Sequence, residues 1–220
     1  MDLGIKNAAA HVIVNPLPLS WLGRADMPPA LPAYASIAKL SATQLRNLLA
    51  QIGYTESSWN YSMIGTNNSL GRYQFSPALL ESYGLLAQGS NTYYGNECVN
   101  YTTCWRSVTI RKNTNGYANY IYNDQSLNGF LNNKIAQEHL AYQVVYDLYN
   151  GLALINGITN ADSAEVIAGM INVAWNLGVG QAPAYESSSG TGAYAWRYSN
   201  IGAGQTPYNT GRYTVTVLSQ

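Results

Sequence analysis

The stretch ESSWN at residues 56–60, together with LGRYQFSP at residues 70–77, decides the predicted fold and the candidate site. The first segment places a carboxylate, Glu56, at the end of a predicted helix and ahead of a polar loop that contains glycine. The second segment ends in Ser76 and Pro77, a serine cap followed by a proline at the first position of the next helix. A carboxylate beside a polar loop is an arrangement that a sugar-cleaving site can use.

Five residues in these segments have the order and spacing of the catalytic segment of the lysozyme-like lytic transglycosylases: Glu56, Ser57, Gly71, Gln74 and Pro77. On these residues the chain resembles that family. The resemblance implies a mainly α-helical, lysozyme-like domain that cleaves peptidoglycan. It also implies that Glu56 acts first as an acid and then as a base, while the 6-hydroxyl of the muramic acid closes an anhydro ring.

Cleavage of a glycosidic bond requires a protonated carboxyl group that donates a proton to the leaving oxygen. Desolvation favours this protonated form because it raises the pKa of the carboxyl group. Tyr54 and Trp59 flank Glu56, which follows an apolar helix, so we expect partial burial of this side chain. The alternative is a solvated glutamate at a helix end. The motif around Glu56 favours the catalytic interpretation.

A second carboxylate, which two-carboxylate glycosidases require, is not obvious in the sequence. No acid lies between Glu56 and Glu81, and we expect Glu81 to be solvated on the next helix. Glu97, Asp124 and Glu138 are candidates only if the fold brings them near. The absence of an obvious partner agrees with the one-carboxylate mechanism that the resemblance implies.

The loop residues are candidates for contacts with a glycan. Tyr73 and Gln74 could bond to sugar hydroxyl and acetamido groups, and Gly71 would let the backbone approach the glycan closely. Ser57 would orient the glutamate or cap backbone amides, and we also expect it to help position the glycan. The alternative is a turn glycine among core aromatic residues.

A second matching segment, AWNLGVG at residues 174–180, resembles the family's Ala-Tyr-Asn-Ala-Gly-Pro-Gly. In the family this segment closes the cleft opposite the glutamate. Asn176, Gly178 and Gly180 are retained, whereas Trp175 replaces the tyrosine. We therefore expect Trp175 and Asn176 to contact substrate. The alternative is a plain helix C-terminus with two glycines.

Further matches resemble the phage tail or baseplate-associated branch of these enzymes: GRYQF at 71–75, FLNN at 130–133 and QE at 137–138. In that branch a lysozyme-like domain rides on the virion and opens the cell wall. The resemblance covers roughly half the chain. We expect the remaining segments to dock on other virion proteins: residues 1–40, much of 90–130 and 190–220.

The composition favours a neutral partner. Only 10% of the 220 residues are charged, and 11 basic residues balance 11 acidic ones. Nucleic-acid binding requires clustered cations, which this chain lacks, so we expect no nucleic-acid partner. The 19 tyrosines, with many Gly, Asn and Ser residues, suit either an uncharged polymer such as a glycan or a surface packed within an assembly.

Two cysteines, Cys98 and Cys104, have a spacing that permits a local disulfide, although the sequence leaves their redox state open. We expect no metal site and no cofactor, because His11 and His139 lie far from this pair. No apolar run is long enough to span a bilayer, and the N-terminus is a poor signal peptide.

The predicted domains are an extended docking arm at 1–40, a lysozyme-like domain at 41–190 with an irregular loop insertion at 85–131, and a C-terminal extension at 191–220. The capping pairs and apolar periodicity predict four helices. They start at Ser41, at Ser76-Pro77, near Asn132 and at Asp162. Short strands are expected at residues 107–110 and 213–218.

The leading hypothesis is a virion tail or baseplate enzyme that acts on peptidoglycan glycan strands in the bacterial envelope, with a secreted or periplasmic enzyme as the alternative location. The competing hypotheses are a non-catalytic tail or baseplate protein that keeps the fold, and a carbohydrate-binding module without chemistry.

Overall fold

The computed structural model describes residue 37 and residues 39–110 and 120–179. Over these residues the chain is mainly α-helical, as the sequence predicts. The helices are α1 (Ala42–Ser57), α2 (Pro77–Ser82), α3 (Ser90–Tyr94), α4 (Leu127–Asn132), α5 (Lys134–Leu154) and α6 (Ala164–Leu177). Strands β1 (Val108–Ile110) and β2 (Tyr120–Tyr122) form an antiparallel pair with Thr109 opposite Ile121. The predicted docking arm and the C-terminal extension with its strand lie outside the described residues, apart from the few that precede α1.

The start of α1 follows the predicted capping box. The backbone N–H of Ser41 donates to Oε1 of Gln44 at 2.9 Å, and the N–H of Gln44 donates to Oγ of Ser41 at 3.2 Å. The sequence left open whether Gly53 ends the helix. The helix continues through Gly53 to Ser57, so Glu56 belongs to its last turn.

The later helices begin with serine caps. Oγ of Ser76 accepts from the N–H of Leu79 at 3.2 Å, as predicted for α2. In α6 the cap is Ser163 rather than the predicted Asp162, because the Asp162 carboxylate instead accepts from the N–H of Thr159 at 2.6 Å. Gly178, at φ 83°, ends α6 as predicted.

The described part of segment 85–131, predicted to be an irregular loop with a short strand at 107–110, folds into short regular elements, and β1 confirms that strand. It contains α3, 3-10 turns at Gly95–Asn100 and Thr102–Cys104, both strands and most of α4. Cys98 and Cys104 form a disulfide bond, and the indole N–H of Trp105 donates to the carbonyl of Val99 at 2.9 Å. The disulfide and this hydrogen bond hold the short elements in place. Such short elements show no hydrophobic periodicity in the sequence, so they could not be recognised as a longer helix would be.

Packing divides the described residues into two compact units. The first contains residues 37, 39–51 and 144–179, and the second contains 52–110 and 120–143. Buried side chains of the first unit come from α1, α5 and α6: Leu45, Leu48, Leu49, Val145, Leu152, Ile167, Met170 and Ile171. No helix in the described ranges is both long and apolar enough to cross a bilayer.

The second unit has an aromatic core centred on Phe130. The ring of Phe130 lies 5.6 Å from that of Trp105 and 6.1 Å from those of Phe75 and Tyr122, between ring centroids. All four side chains are buried. Aromatic rings at these spacings bury a large apolar area. The loop that follows Glu56 is therefore anchored, through Phe75, to the core of its own unit.

Candidate functional site

Glu56 lies half-buried in the last turn of α1. The helix ends in two consecutive residues in the left-handed region, Ser58 at φ 52° and Trp59 at φ 69°. The N–H of Ser58 donates to the carbonyl of Tyr54 at 2.8 Å, and that of Trp59 to the carbonyl of Gly53 at 3.1 Å. Non-glycine residues adopt this backbone only where the surroundings enforce it, and such positions cluster at functional sites.

Ser57 connects the end of α1 to the second motif segment. Its hydroxyl donates to the carbonyl of Arg72 at 2.7 Å, and its oxygen accepts from the N–H of Asn60 at 3.0 Å. The hydroxyl thus bridges backbone groups of the helix end and the loop. This arrangement suits the predicted orienting role of Ser57 better than direct contact with a glycan.

The second motif segment forms a tight turn. Leu70 and Phe75 exchange two backbone hydrogen bonds of 2.9 Å, and Gly71 lies between them at φ 74°. A side chain at position 71 would collide with the amide of Gln137. Gly71 is therefore required by local packing as well as by its backbone angle, without reference to a ligand.

Gln74 is the half-buried residue of this turn, whereas Gly71, Arg72 and Tyr73 are buried. Its backbone has a φ of 50°, and its side-chain Nε2 donates to the carbonyl of Gly71 at 2.8 Å. Its Oε1 lies so close to Gly65 that a Cβ there would collide with it. The side chain is thus held in one orientation by the loop.

Beneath the loop lies a polar cluster in which Arg72, Tyr73 and Glu138 are buried and Tyr61 is half-buried. The Arg72 Nε lies 3.8 Å from Oε1 of Glu138, and neither side chain is exposed. The hydroxyl of Tyr61 donates to Oε1 of Glu138 at 2.6 Å, and that of Tyr73 donates to Oε2 at 2.7 Å. A buried charge is tolerated when it is paired and hydrogen-bonded in this way.

Electrostatics within this cluster keep the Tyr61 hydroxyl protonated. Burial, and then the negative charge of Glu138, raise its pKa well above the ordinary value. Tyr61 also accepts from Nη1 of Arg72 at 3.1 Å. The hydroxyl therefore relays hydrogen bonding from the guanidinium to the carboxylate.

Aromatic rings surround the guanidinium of Arg72. Its central carbon lies 4.9 Å from the ring centroid of Tyr61, 5.8 Å from Tyr73 and 5.9 Å from Trp59. A Cβ at Gly53 would lie only 2.6 Å from Nε of Arg72. Gly53 thus leaves room, within the helix that carries Glu56, for the arginine beneath the loop.

Gln137 supports the same loop from α5. Its Oε1 accepts from the backbone N–H of Arg72 at 2.9 Å, and its Nε2 donates to the carbonyls of Tyr61 and Phe130 at 3.0 Å each. Gln137 and Glu138 are consecutive and fully buried. Together they hold both sides of the loop between Tyr61 and Tyr73.

The structure corrects two expectations for the site. Tyr73, expected to contact substrate, is 1% exposed and directs its hydroxyl to Glu138. It supports the loop from inside instead. Glu138, a candidate second carboxylate, is fully buried in the ion pair with Arg72 and is not placed to meet a ligand. Glu97 and Asp124 are exposed, and Asp124 accepts from Nδ2 of Asn133 at 2.6 Å.

The remaining candidates fall into different units. Glu56, Ser57, Gly71 and Gln74 belong to the second unit, whereas Trp175 and Asn176, at the end of α6, belong to the first. Nδ2 of Asn176 donates to the carbonyl of Asn172 at 2.8 Å. The expectation that these two residues close a cleft opposite Glu56 stays a prediction.

Tyr61 and Arg72 were not among the residues predicted for the site. The scarcity of charged residues in the sequence could have indicated them. A basic residue within an aromatic motif is expected to be buried, and a buried basic residue requires an acidic partner. Within the described ranges, no three or more His, Cys, Asp or Glu residues are grouped to hold a metal ion.

No protein-family model matches the chain, and neither a curated protein nor a solved structure is detectably similar to it.

Proposed function

We propose that the protein is a peptidoglycan-cleaving lytic transglycosylase or muramidase with a lysozyme-like fold, and that Glu56 is its acid and base. One observation carries the proposal. The helix end that holds Glu56 is tied through Ser57 to the Arg72 carbonyl, and the Arg72 side chain is fixed by Glu138. A half-buried carboxylate on a rigid support is what general acid catalysis requires.

In the proposed reaction the protonated Glu56 donates its proton to the oxygen between muramic acid C1 and the next sugar. The bond from C1 to that oxygen breaks, and the next sugar leaves with a new hydroxyl group. The Glu56 carboxylate then takes the proton of the muramic acid 6-hydroxyl as its oxygen attacks C1. This step forms the 1,6-anhydro ring and returns Glu56 to its protonated state. In a muramidase, water takes the place of the 6-hydroxyl.

Gln74 is the residue of the turn that we propose for contact with the glycan. Its amide is neutral and can bond to hydroxyl and acetamido groups, and its left-handed backbone fixes its direction. Ser57 orients the segment that carries Glu56. Trp175 and Asn176 are proposed to bind the glycan from α6, in line with the resemblance of residues 174–180 to the family segment.

We further propose that the protein is a virion tail or baseplate component that opens the bacterial cell wall locally. The low charge and the many tyrosines suit packing against other virion proteins. The alternative function is a non-catalytic tail or baseplate protein. Trp175, which stands where the family that the chain resembles has a tyrosine, favours this alternative because a tryptophan brings no hydroxyl to the site.

The experiment is the release of soluble fragments from purified peptidoglycan by the wild type, by Glu56→Gln and by Glu97→Gln. Glu97 is exposed and lies in another part of the second unit, so its variant is the matched control. The proposal predicts release by the wild type and by Glu97→Gln and none by Glu56→Gln. No release by any of the three would favour the structural protein.

A further inference from the structure

Three tyrosines form an exposed aromatic platform on the segment 90–104, which we call the tyrosine platform: Tyr93, Tyr94 and Tyr101. The ring of Tyr94 stacks on that of Tyr101, with centroids 4.7 Å apart and planes 27° from parallel. Tyr93 meets Tyr94 edge-on at 4.6 Å and is 81% exposed. Large aromatic side chains gain little from such exposure, so an exposed group of three indicates a binding surface.

The platform stands on a rigid base. The disulfide between Cys98 and Cys104 closes the segment, and Cys98, Val99 and Cys104 are buried beneath it. On the other side, the Glu81 carboxylate accepts from the N–H of Gly89 at 2.6 Å and from that of Asn91 at 2.8 Å. A preorganised surface loses little conformational entropy when a ligand binds.

A polar cavity of about 470 Å³ lies at the start of the same short helix α3. Its lining includes Glu81, Ser82, Gln88, Asn91 and Thr92. Oδ1 of Asn91 is buried and has no hydrogen-bond partner. A buried acceptor without a donor is costly, so the half-buried Asn91 side chain gains a hydrogen bond if its amide turns toward a ligand in the cavity that brings an N–H or O–H group.

The platform and the cavity are close together, because α3 contains only five residues and spans roughly 6 Å. Asn91 and Thr92 line the cavity, and Tyr93 and Tyr94 follow them directly. The base is also joined to the loop after Glu56, since Nδ2 of Asn68 donates to the carbonyl of Asn96 at 2.6 Å.

We propose that the tyrosine platform and this cavity form an accessory glycan-binding site that takes a neutral chain of N-acetylated sugars. Sugar rings stack on the exposed faces of the tyrosines, and a hydroxyl or acetamido N–H donates to Oδ1 of Asn91. Glu97 is the one charged residue of segment 90–104, which disfavours a phosphate polymer. That the glycan is the strand cleaved at Glu56 rests on the proposed function.

The test measures binding rather than cleavage. Glu56→Gln protein is titrated with chitotetraose by calorimetry and co-sedimented with insoluble peptidoglycan, alone and with Tyr93→Ala, Tyr101→Ala or Tyr93→Phe added. We expect each alanine variant to bind both ligands about fivefold to tenfold more weakly, and the phenylalanine variant to retain most of the affinity. Leu154→Ala, which removes an 82% exposed apolar side chain from the first unit, is the control and should bind normally.

Alanine variants that are folded and bind both ligands as tightly as their parent would overturn the inference. The same result is expected if the platform contacts another protein instead of a glycan. The outcome is separable from that of the proposed function. Platform-dependent binding without fragment release would reject the enzyme and retain this site. Fragment release with binding that is insensitive to the tyrosines would retain the enzyme and reject this site. A parent protein that binds neither ligand would overturn the inference as well.

Discussion

Arg72 and Glu138 form an ion pair in which Nε and Oε1 lie 3.8 Å apart and neither side chain reaches solvent. They are separated by most of the second unit in sequence, yet this pair lies directly beneath the loop that follows Glu56. The intact pair adds little to the free energy of unfolding, whereas removal of one partner lowers that free energy strongly, because a buried charge without compensation is costly.

Glu138→Ala should therefore destabilise the protein strongly. It removes the carboxylate that pairs with the buried Arg72 guanidinium and that accepts from the Tyr61 and Tyr73 hydroxyls. We expect a loss of about 3–5 kcal/mol in the free energy of unfolding. Urea unfolding followed by circular dichroism measures it. Glu97→Ala, at an exposed position, should change stability by no more than about 0.5 kcal/mol, and equal effects of the two variants would contradict the account.

Gly71→Ala tests whether the turn is held by packing. The change combines an unfavourable backbone angle with a collision against Gln137, so we expect a loss of about 2 kcal/mol or more. Gly89 is the matched control, because its φ is 81° and no atom lies within 4 Å of a Cβ placed there. Gly89→Ala should cost about 1 kcal/mol. If both variants lost the same stability, the contact with Gln137 would carry no weight.

Ser57→Ala should separate positioning from folding. The variant loses the 2.7 Å hydrogen bond to the Arg72 carbonyl, which we expect to cost about 1 kcal/mol of stability. Under the proposed function, fragment release should fall about tenfold or more, because Glu56 is less well oriented. Ser62→Ala, at an exposed position two residues beyond Asn60, is the control for both measurements. Full activity in Ser57→Ala would remove the positioning role.

His139 predicts a pH dependence of stability. Burial lowers the pKa of its imidazole from 6.5 to about 4. The unfolded chain therefore takes up a proton below about pH 6.5, whereas the folded chain does so only near pH 4. The stability due to neutral His139 is complete above pH 6.5 and is lost as the pH falls toward 4. We expect about 1–2 kcal/mol, less than full linkage because the side chain is only half-buried.

The measurement is urea unfolding at pH 7.0 and pH 4.5 for the wild type and for His139→Gln. The variant should lose less stability on acidification than the wild type, since glutamine does not titrate. An identical decrease in the two proteins would show that His139 does not contribute. Carboxylates are present in both proteins, so their contribution cancels in the comparison.

Local signals in the sequence predicted much of the helical framework. The predicted helix ends depend on interactions between residues that are close in sequence, so a local pattern is enough to predict them. Examples are the Ser41–Gln44 capping box, the start of α2 at Ser76–Pro77 and the end of α6 at Gly178. The strand at 107–110 was predicted, but the short helices in the described part of segment 85–131 were not, because they depend on contacts that produce no periodic pattern in the sequence. Examples are the Glu81 carboxylate at the start of α3 and the Cys98–Cys104 bond.

The site shows the same division. The spacing from Glu56 to Gln74 could be recognised within one stretch of chain. The Tyr61 hydroxyl and the Glu138 carboxylate, in contrast, meet across 77 positions of sequence. The direction of the Tyr73 side chain also depends on that distant carboxylate. The sequence therefore predicted a contact between Tyr73 and the ligand, whereas the side chain faces the interior. Long-range pairing of buried polar groups is fixed by tertiary packing rather than by local pattern.

The most direct test of the central claim is the chemical identity of the products. Purified peptidoglycan is digested with the wild type, Glu56→Gln and Glu97→Gln, and the soluble fragments are identified by mass spectrometry. The account predicts fragments that end in 1,6-anhydromuramic acid, or in reducing muramic acid if water is the acceptor, from the wild type and Glu97→Gln, and none from Glu56→Gln. The same fragments from Glu56→Gln at the wild-type rate would contradict it.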